Sequence, residues 1–324
     1  MSVRREAPLL EARGRPTRFD LLGVGQCSLD HVGLVDAMPP FGGKLRMSSA
    51  HALPGGQVAT AVRAAARLGL RAALLTSIGD DGAGERALTP AREEGVELVA
   101  LKRVAGAASQ LAFILVERKS GERSVLWYRD PRLALTASDI PREAIHATRL
   151  LHLDAGDPEA GAWAAGVAQE AGVPVLLDAD HYDPSLEPLL ERVDYPVVSS
   201  EFADALGGPS EALRELAHRG ARLAVVTLGP RGCLAGSPPG WLSPGFRVDA
   251  RDTTGAGDAF HAGFAWALLA GHGAASVLRV ANAVAALNCC ALGAQGGLPT
   301  RREVERFLEN ATPAPAEPER PGLP

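Results

Sequence analysis

The sequence predicts an α/β protein: a three-layer α/β/α body around a mainly parallel central sheet, with a small β lid attached. Three observations predict it. From Leu150 onward, short and nearly all-apolar runs alternate with helical patterns, as in repeated β-α-β units whose sheet is covered on both faces. Two β-rich excursions, about 31–53 and 109–130, interrupt that alternation early in the chain. The residues able to do chemistry follow predicted strands, and open parallel sheets bind ligands beyond the carboxyl ends of their strands.

In chain order, residues 1–18 are Arg-rich, lack the apolar core of a secretory signal and are expected to be a disordered arm. Residues 19–25 make a short buried strand ending in glycines. Gly23-x-Gly25 is no dinucleotide fingerprint, because the third glycine position is Ser28 and residues 30–35 alternate like a strand. A turn-rich excursion over 36–44 and the stretch up to Leu53 give two short strands around a loop. In 54–69, Val58, Val62, Ala65 and Ala66 form a helical stripe and Gly69 is the stop. Residues 72–78 read as a buried strand, then a Gly-Asp-Asp-Gly turn and a helix to about Glu94. The runs 111–116 and 124–128, separated by 118–123, are a hairpin signal. Strands follow at 149–153, 173–178, 195–198 and 223–228, with helices at about 158–171, 185–192, 201–206 and 210–219. A helix over 274–292 and an amphipathic one over 303–308 complete a single domain spanning 19–310. The tail, 311–324, is rich in Pro, Ala and Glu and is expected to be disordered.

Bulk properties exclude several classes. A chain of 324 residues has room for a large core, and 46% hydrophobic with 22% charged residues is ordinary for a globular protein. The net charge of −5 leaves no basic footprint, which argues against nucleic acid. No apolar run is long enough to span a bilayer, so no membrane partner is expected and the cytoplasm is the expected location. Cys27, Cys233, Cys289 and Cys290 show no zinc or C-x-x-C spacing and read as reduced thiols. Of the 33 basic residues 30 are arginine, which singles out Lys44, Lys102 and Lys119.

The chemistry concentrates in Asp252-Thr253-Thr254-Gly255-Ala256-Gly257-Asp258-Ala259-Phe260. Phe260, Phe264 and Leu268 recur at i, i+4, i+8 on a helix face, and Gly271 is placed to end that helix. Glycine-rich backbone ahead of a helix presents unpaired N–H groups and partial positive charge, a site for an anion. Asp258, within the first turn, makes electrostatic sense beside an anion if a hydroxyl must be deprotonated there to attack a phosphoryl group.

This run resembles the second signature of the ribokinase-like (PfkB) carbohydrate kinases. The resemblance spans about 19–308 and implies an ATP-dependent sugar kinase, in which Asp258 is the catalytic base and the N–H groups of Gly255, Ala256 and Gly257 are the anion hole. It implies Mg²⁺ as the divalent ion. Asp30, an acid shortly after the first strand, would hold sugar hydroxyls, and Gly55-Gly56 resembles the first signature, allowing close backbone approach to the sugar. Thr60 stands where the family usually has an Asn contacting the sugar. If the hairpin belongs to the lid, Ser109 and Arg129 would face the substrate. Lys44 is either a solvated lid charge or the partner of an acid group on the substrate. On the nucleotide side, Thr227, Gly229 and Gly232 resemble the loop lining ATP, and Asn282 falls near the adenine. The family's N-x-x-E is replaced by Ser199-Ser200-Glu201-Phe202, leaving Ser199 beside the nucleotide and Glu201 or Asp178 to hold the divalent ion through water. Asp252, Thr254 and Gly293 match a site for a monovalent cation such as K⁺. The lid either caps its own cleft in a monomer or pairs with a second copy. A nucleoside kinase, or a non-catalytic sugar- or nucleotide-binding protein, would share the fold.

Overall fold

The computed structural model describes residues 7–10, 17–236 and 240–311. The chain opens with β1 (Phe19–Val24), β2 (Ser28–Val35), β3 (Ser49–Gly55), α1 (Gln57–Arg67), β4 (Ala72–Gly79), α2 (Gly82–Glu93) and β5 (Glu97–Val104). Next come β6 (Leu111–Glu117), β7 (Arg123–Tyr128), α3 (Arg142–His146), β8 (Thr148–Asp154), α4 (Pro158–Ala171) and β9 (Val175–Ala179). Then follow α5 (Glu187–Leu190), β10 (Tyr195–Val198), α6 (Ser200–Ala205), α7 (Pro209–His218), β11 (Val225–Thr227), β12 (Gly232–Ala235) and β13 (Trp241–Pro244). The chain closes with α8 (Ala256–Leu269), α9 (Ala274–Asn288) and α10 (Arg301–Asn310).

Nine strands form the central sheet in the order β13-β12-β11-β10-β9-β8-β1-β4-β5. From β11 to β5 every pairing is parallel, and β12 and β13 add an antiparallel edge. Side-chain alternation along the strands builds two cores. Leu21, Leu74, Leu150, Leu176 and Val197 are buried with α1, α8 and α9 on one face. Leu22, Leu75, Leu151, Leu177 and Val198 are buried with α4, α6 and α7 on the other. Each such leucine is worth about 1.5–3 kcal/mol of transfer free energy, so the near-continuous apolar runs of these strands enforce a sheet covered on both sides. Helix α8 lies in the first of these layers, with Phe260, His261, Phe264 and Leu268 all buried.

The segments expected to form a lid are the four strands of a second sheet, β3-β2-β6-β7. Val32, Ala112, Ile114 and Val116 bury one of its faces against Leu53 and Leu292. All six residues of the edge strand β7 are exposed.

Some boundaries differ from the sequence reading. The helix expected over 185–192 is a 3₁₀ turn at Pro184–Leu186 followed by the four-residue α5. The helix expected to reach 292 stops at Asn288, whose Nδ2 donates to the carbonyls of Ala294 (2.9 Å) and Thr254 (3.4 Å) and so draws the chain toward the glycine turn. β5 and α3 escaped notice. β5 is an edge strand, half-buried along nearly all its length, and shows no alternation of apolar and polar positions. The arm expected to be disordered is not so at Leu9, whose N–H donates to the His272 carbonyl (3.1 Å) while its own carbonyl accepts from Tyr195 Oη (3.3 Å). The rest of that expectation, at 1–6 and 11–16, and the tail at 312–324 lie outside the described residues. Among the described residues no helix is long and apolar enough to cross a membrane.

Candidate active site

Parallel strands deliver their carboxyl ends to one edge of the sheet, and α8 begins there. Gly255 caps the helix at φ +74°, a conformation that favours glycine, and a Cβ on it would sit 2.4 Å from the Ala294 carbonyl oxygen. Two residues on, Gly257 is exposed, and a Cβ there would meet nothing within 4 Å. One glycine is demanded by packing; the other leaves open space above the helix N-terminus, where the Ala256 N–H donates to the Thr253 carbonyl (3.3 Å) and first-turn N–H groups lack the i−4 partner of a helix interior. Asp258, half-buried, is the acid of that first turn.

The electrostatics around Asp258 come from residues spread over the whole chain. Burial, then the charge of Asp180, pushes its carboxyl well above the usual carboxylate range, with Asp30 and Asp154 adding to the rise and Arg123 opposing it. Burial raises Asp154, at the end of β8, to about 6, although it accepts from the N–H groups of Gln26 (2.6 Å) and Gly156 (3.0 Å). Asp178, at the end of β9, is pushed up by burial and by Asp180 and Asp258. Its Oδ2 lies 3.6 Å from Nδ1 of His261, which also contacts the Gly257 carbonyl oxygen at 2.8 Å. Asp154, Asp180, Arg123 and His261 were not anticipated. Asp154 and Asp180 arrive by the parallel register at the ends of β8 and β9, Arg123 from the antiparallel strand β7, and His261 from one turn further along α8.

Asp30 is 4% exposed, accepts from Ser28 Oγ (2.6 Å) and is raised to about 6, chiefly by burial. A Cβ on Gly55 would lie 1.9 Å from its Oδ2, so this glycine admits the carboxylate. Gly56 caps α1 at φ +90°. A row of amides links this region to Asp180: Gln110 donates to Gln26 (2.6 Å), Gln26 to Gln57 (3.3 Å), and Gln57 to Asp180 (2.9 Å).

Several expected substrate residues are turned to other work. Thr60 is fully buried and its hydroxyl accepts from Gln295 Nε2 (3.1 Å), so it bonds the glycine loop after α9 and not the cleft. Ser109, 2% exposed, bonds Asp81 (2.6 Å) and the N–H of Gly79 (2.9 Å), pinning the root of β6 to the end of β4. Arg129, expected to face the substrate, makes a two-pronged ion pair with Asp157 (2.6 and 2.8 Å). Lys44 remains on the exposed β2–β3 loop.

On the nucleotide side, Ser199 caps α6 by accepting from Phe202 N–H (3.0 Å) and donates to the Asp180 carbonyl (2.6 Å). Thr227 donates to the Val198 carbonyl (3.3 Å), and a Cβ on Gly229 would meet open space. Gly232 has φ +97°, and a Cβ on it would lie 2.1 Å from the Ser243 carbonyl oxygen, so its need for glycine is internal. The Asn282 amide likewise serves the strands β12 and β13, donating to Ser243 O (3.1 Å) and Pro244 O (3.3 Å). Glu201 faces solvent and pairs with His181 (3.1 Å), while Asp178 is buried, so the two do not meet as a metal pair. Among the described residues no three His, Cys, Asp or Glu side chains are grouped to hold a metal ion. Asp252 is fully buried, its oxygens accepting from the N–H groups of Thr254 (2.9 Å) and Gly293 (2.7 Å). Thr254 Oγ1 and Asn288 Oδ1 are buried without hydrogen-bond partners.

Comparison with known proteins agrees with this geometry. A family model for pfkB family carbohydrate kinases matches residues 19–301. The ribokinase of Bacillus subtilis (strain 168) is 32% identical over 294 residues, covering 88% of this chain and 98% of that protein. Fructokinase-1 of Oryza sativa subsp. japonica is 30% identical over 317 residues, covering 86% and 96%. The ribokinase of Arabidopsis thaliana, solved with ribose and ATP, shares the fold at a TM-score of 0.77 and 23% identity, over 91% of this chain and 99% of that one. An open helix N-terminus and carboxylates at the strand ends, joined to near-full-length similarity, lead to one conclusion: the chain belongs to the pfkB family of carbohydrate kinases and is an ATP-dependent sugar kinase, a phosphotransferase with an alcohol acceptor.

Proposed function

We propose that this kinase phosphorylates a primary hydroxyl of a sugar or sugar derivative, with Asp258 as the general base. One observation carries the reading: Asp258 sits in the first turn of α8 beside the open face of Gly257, with its carboxyl raised by burial and neighbouring acids. A raised carboxyl is a better proton acceptor, while the helix N-terminus beside it favours negative charge on an arriving phosphoryl group. Asp258 takes the hydroxyl proton as the sugar oxygen bonds to phosphorus; the N–H groups of Gly255, Ala256 and Gly257 hold the phosphoryl charge. Asp30, with room made by Gly55 and Gly56, accepts from sugar hydroxyls and orients the acceptor. Bound ATP and Mg²⁺ supply the transferable phosphoryl group and neutralise its charge. Mg²⁺ needs only one or two protein carboxylates beside phosphate oxygens, and the exposed Asp180 fits that demand better than Asp178 or Glu201. Thr227 and Gly229 are assigned to the nucleotide's path along β11.

A monovalent cation such as K⁺ is assigned to the buried carboxylate of Asp252 with the loop at Gly293, where the partnerless oxygens of Thr254 and Asn288 supply further ligands. The second sheet is assigned as the lid over residues 28–55 and 111–128. Its outer face, with Phe113, Leu126 and Tyr128 all more than half exposed, suits pairing with a second copy of the chain. The four free thiols and the ATP requirement support a cytoplasmic location.

The deciding experiment measures ATP consumption against pentoses, hexoses, sugar acids and phosphates, and adenosine, in KCl and in NaCl. Turnover with a sugar, higher in KCl, is expected. Turnover with adenosine alone would overturn the acceptor class, equal rates in both salts would remove the cation, and a single species in sedimentation at monomer mass would remove the pairing.

A further inference from the structure

Strand β7 carries more than a wall of the cleft. Its pairing with β6 puts Arg123 opposite Val116, Val125 opposite Ile114 and Trp127 opposite Ala112. Val116, Ile114 and Ala112 are buried against Leu53 and Leu292, so Arg123 shares the inward face of the second sheet. The β6–β7 turn is seated on the segment leading into α8: Thr253 N–H donates to the Gly121 carbonyl (3.3 Å), and Thr253 Oγ1 bonds the same oxygen (3.2 Å). Arg123 Nη1 donates to Thr253 Oγ1 at 2.8 Å, two residues before Gly255. The rest of its guanidinium makes no hydrogen bond or ion pair among the described residues, although arginines at the surface of this protein are repeatedly matched to acids. An unpaired guanidinium is thus held at the approach to an open helix N-terminus. Its charge is felt at Asp258, where it offsets part of the rise caused by burial and Asp180.

We propose that Arg123 is a catalytic residue supplied by the lid: with ATP bound, its free N–H groups contact the γ-phosphoryl oxygens and stabilise the charge that develops there. The inference rests on the sugar-kinase reading of the same site and adds a role for the hairpin beyond covering the sugar. In the step it serves, the acceptor hydroxyl gives its proton to Asp258, the new O–P bond forms, the bond from the γ-phosphorus to its bridging oxygen breaks, and ADP leaves with that electron pair. Guanidinium is suited to the task, being permanently charged, planar and able to meet two phosphoryl oxygens at once. Placing it on β7 also makes charge stabilisation conditional on the hairpin being seated on Thr253.

The test uses Arg123→Met and Arg123→Lys in the full chain, with Asp258→Asn assayed alongside. Without sugar, equilibrium binding of a non-hydrolysable ATP analogue with Mg²⁺ is compared with binding of ADP with Mg²⁺. Arg123→Met is expected to weaken the analogue about tenfold and leave ADP unchanged, since only the analogue carries a γ-phosphate. With sugar, kcat should fall ~10²–10³-fold at unchanged sugar KM, the usual cost of one charge-stabilising donor. Arg123→Lys should recover part of both, and added guanidinium should partly rescue Arg123→Met. Equal losses for analogue and ADP would show that Arg123 only seats the hairpin, and a kcat within threefold of wild type would show that it is idle; either overturns the proposal. If the wild type turns over no sugar, the kinase reading fails on its own, and the analogue-to-ADP ratio still judges Arg123.

Discussion

Two carboxylates, Asp30 and Asp258, lie near enough for the charge of one to raise the other, and their glycine neighbours differ. At Asp30 the glycine is filled space: the carboxylate lies where a Gly55 side chain would be, with Ser28 holding it from the other side. At Asp258 the glycine is empty space, since nothing occupies the position above Gly257. A group that must hold a sugar in one orientation gains from rigid packing, whereas one that must receive a proton as phosphorus arrives needs room for the incoming group. The same residue type therefore marks a packed contact in one place and a reserved volume in the other.

The largest expected effect is at the proposed base. Asp258→Asn should lower kcat by ~10²–10⁴ with little change in sugar KM, read by steady-state kinetics. Because the carboxyl of Asp258 is raised above the ordinary 3.8, wild-type kcat should decline on acidification at a higher pH than an unperturbed carboxylate would give. Protonation removes the acceptor lone pair, so the loss is on the acid side, and a flat acid limb would break the assignment.

Arg129 comes next. Its ion pair with Asp157 is only 12% exposed on each side, and Arg129→Ala would strand a buried carboxylate at a cost of about 3–5 kcal/mol. A large drop in Tm with an unaltered preference between neutral and anionic sugars is expected. Unchanged stability with a lost preference would return Arg129 to the substrate.

The glycines sharpen the contrast at smaller cost. Gly55→Ala should displace the Asp30 carboxylate, costing about 1–3 kcal/mol of stability by overpacking and raising sugar KM. Gly257→Ala should leave Tm near wild type and instead raise the KM for ATP, because its methyl group intrudes only once a phosphoryl group is present. Thermal melts and paired KM values separate the two, and identical behaviour would erase the distinction.

Legibility in the sequence followed the range of the forces involved. The run 252–260 could be read directly because helix capping, turn geometry and the placement of Asp258 are all set within about ten residues. The internal partners of Thr60, Ser109, Arg129 and Asn282 were not legible because the choice of partner is non-local. Gln295 is 235 residues from Thr60, and Asp157 is 28 from Arg129. A polar side chain near a cleft satisfies whichever donor or acceptor folding brings closest, and sequence position does not reveal which. Asp180 and Arg123 were missed for the converse reason: neither stands in a recognisable pattern, and each gains meaning only by lying near Asp258.

From the sequence alone came the covered parallel sheet, the second β element and the glycine turn before α8, since periodicity and backbone preference are properties of neighbouring residues. The tertiary structure decided which acids share one electrostatic neighbourhood, which polar groups are already taken and where Arg123 of the second sheet is held. Those outcomes depend on distances of a few ångströms between segments over a hundred residues apart, where burial strengthens every charge and leaves no polar atom indifferent to its neighbour.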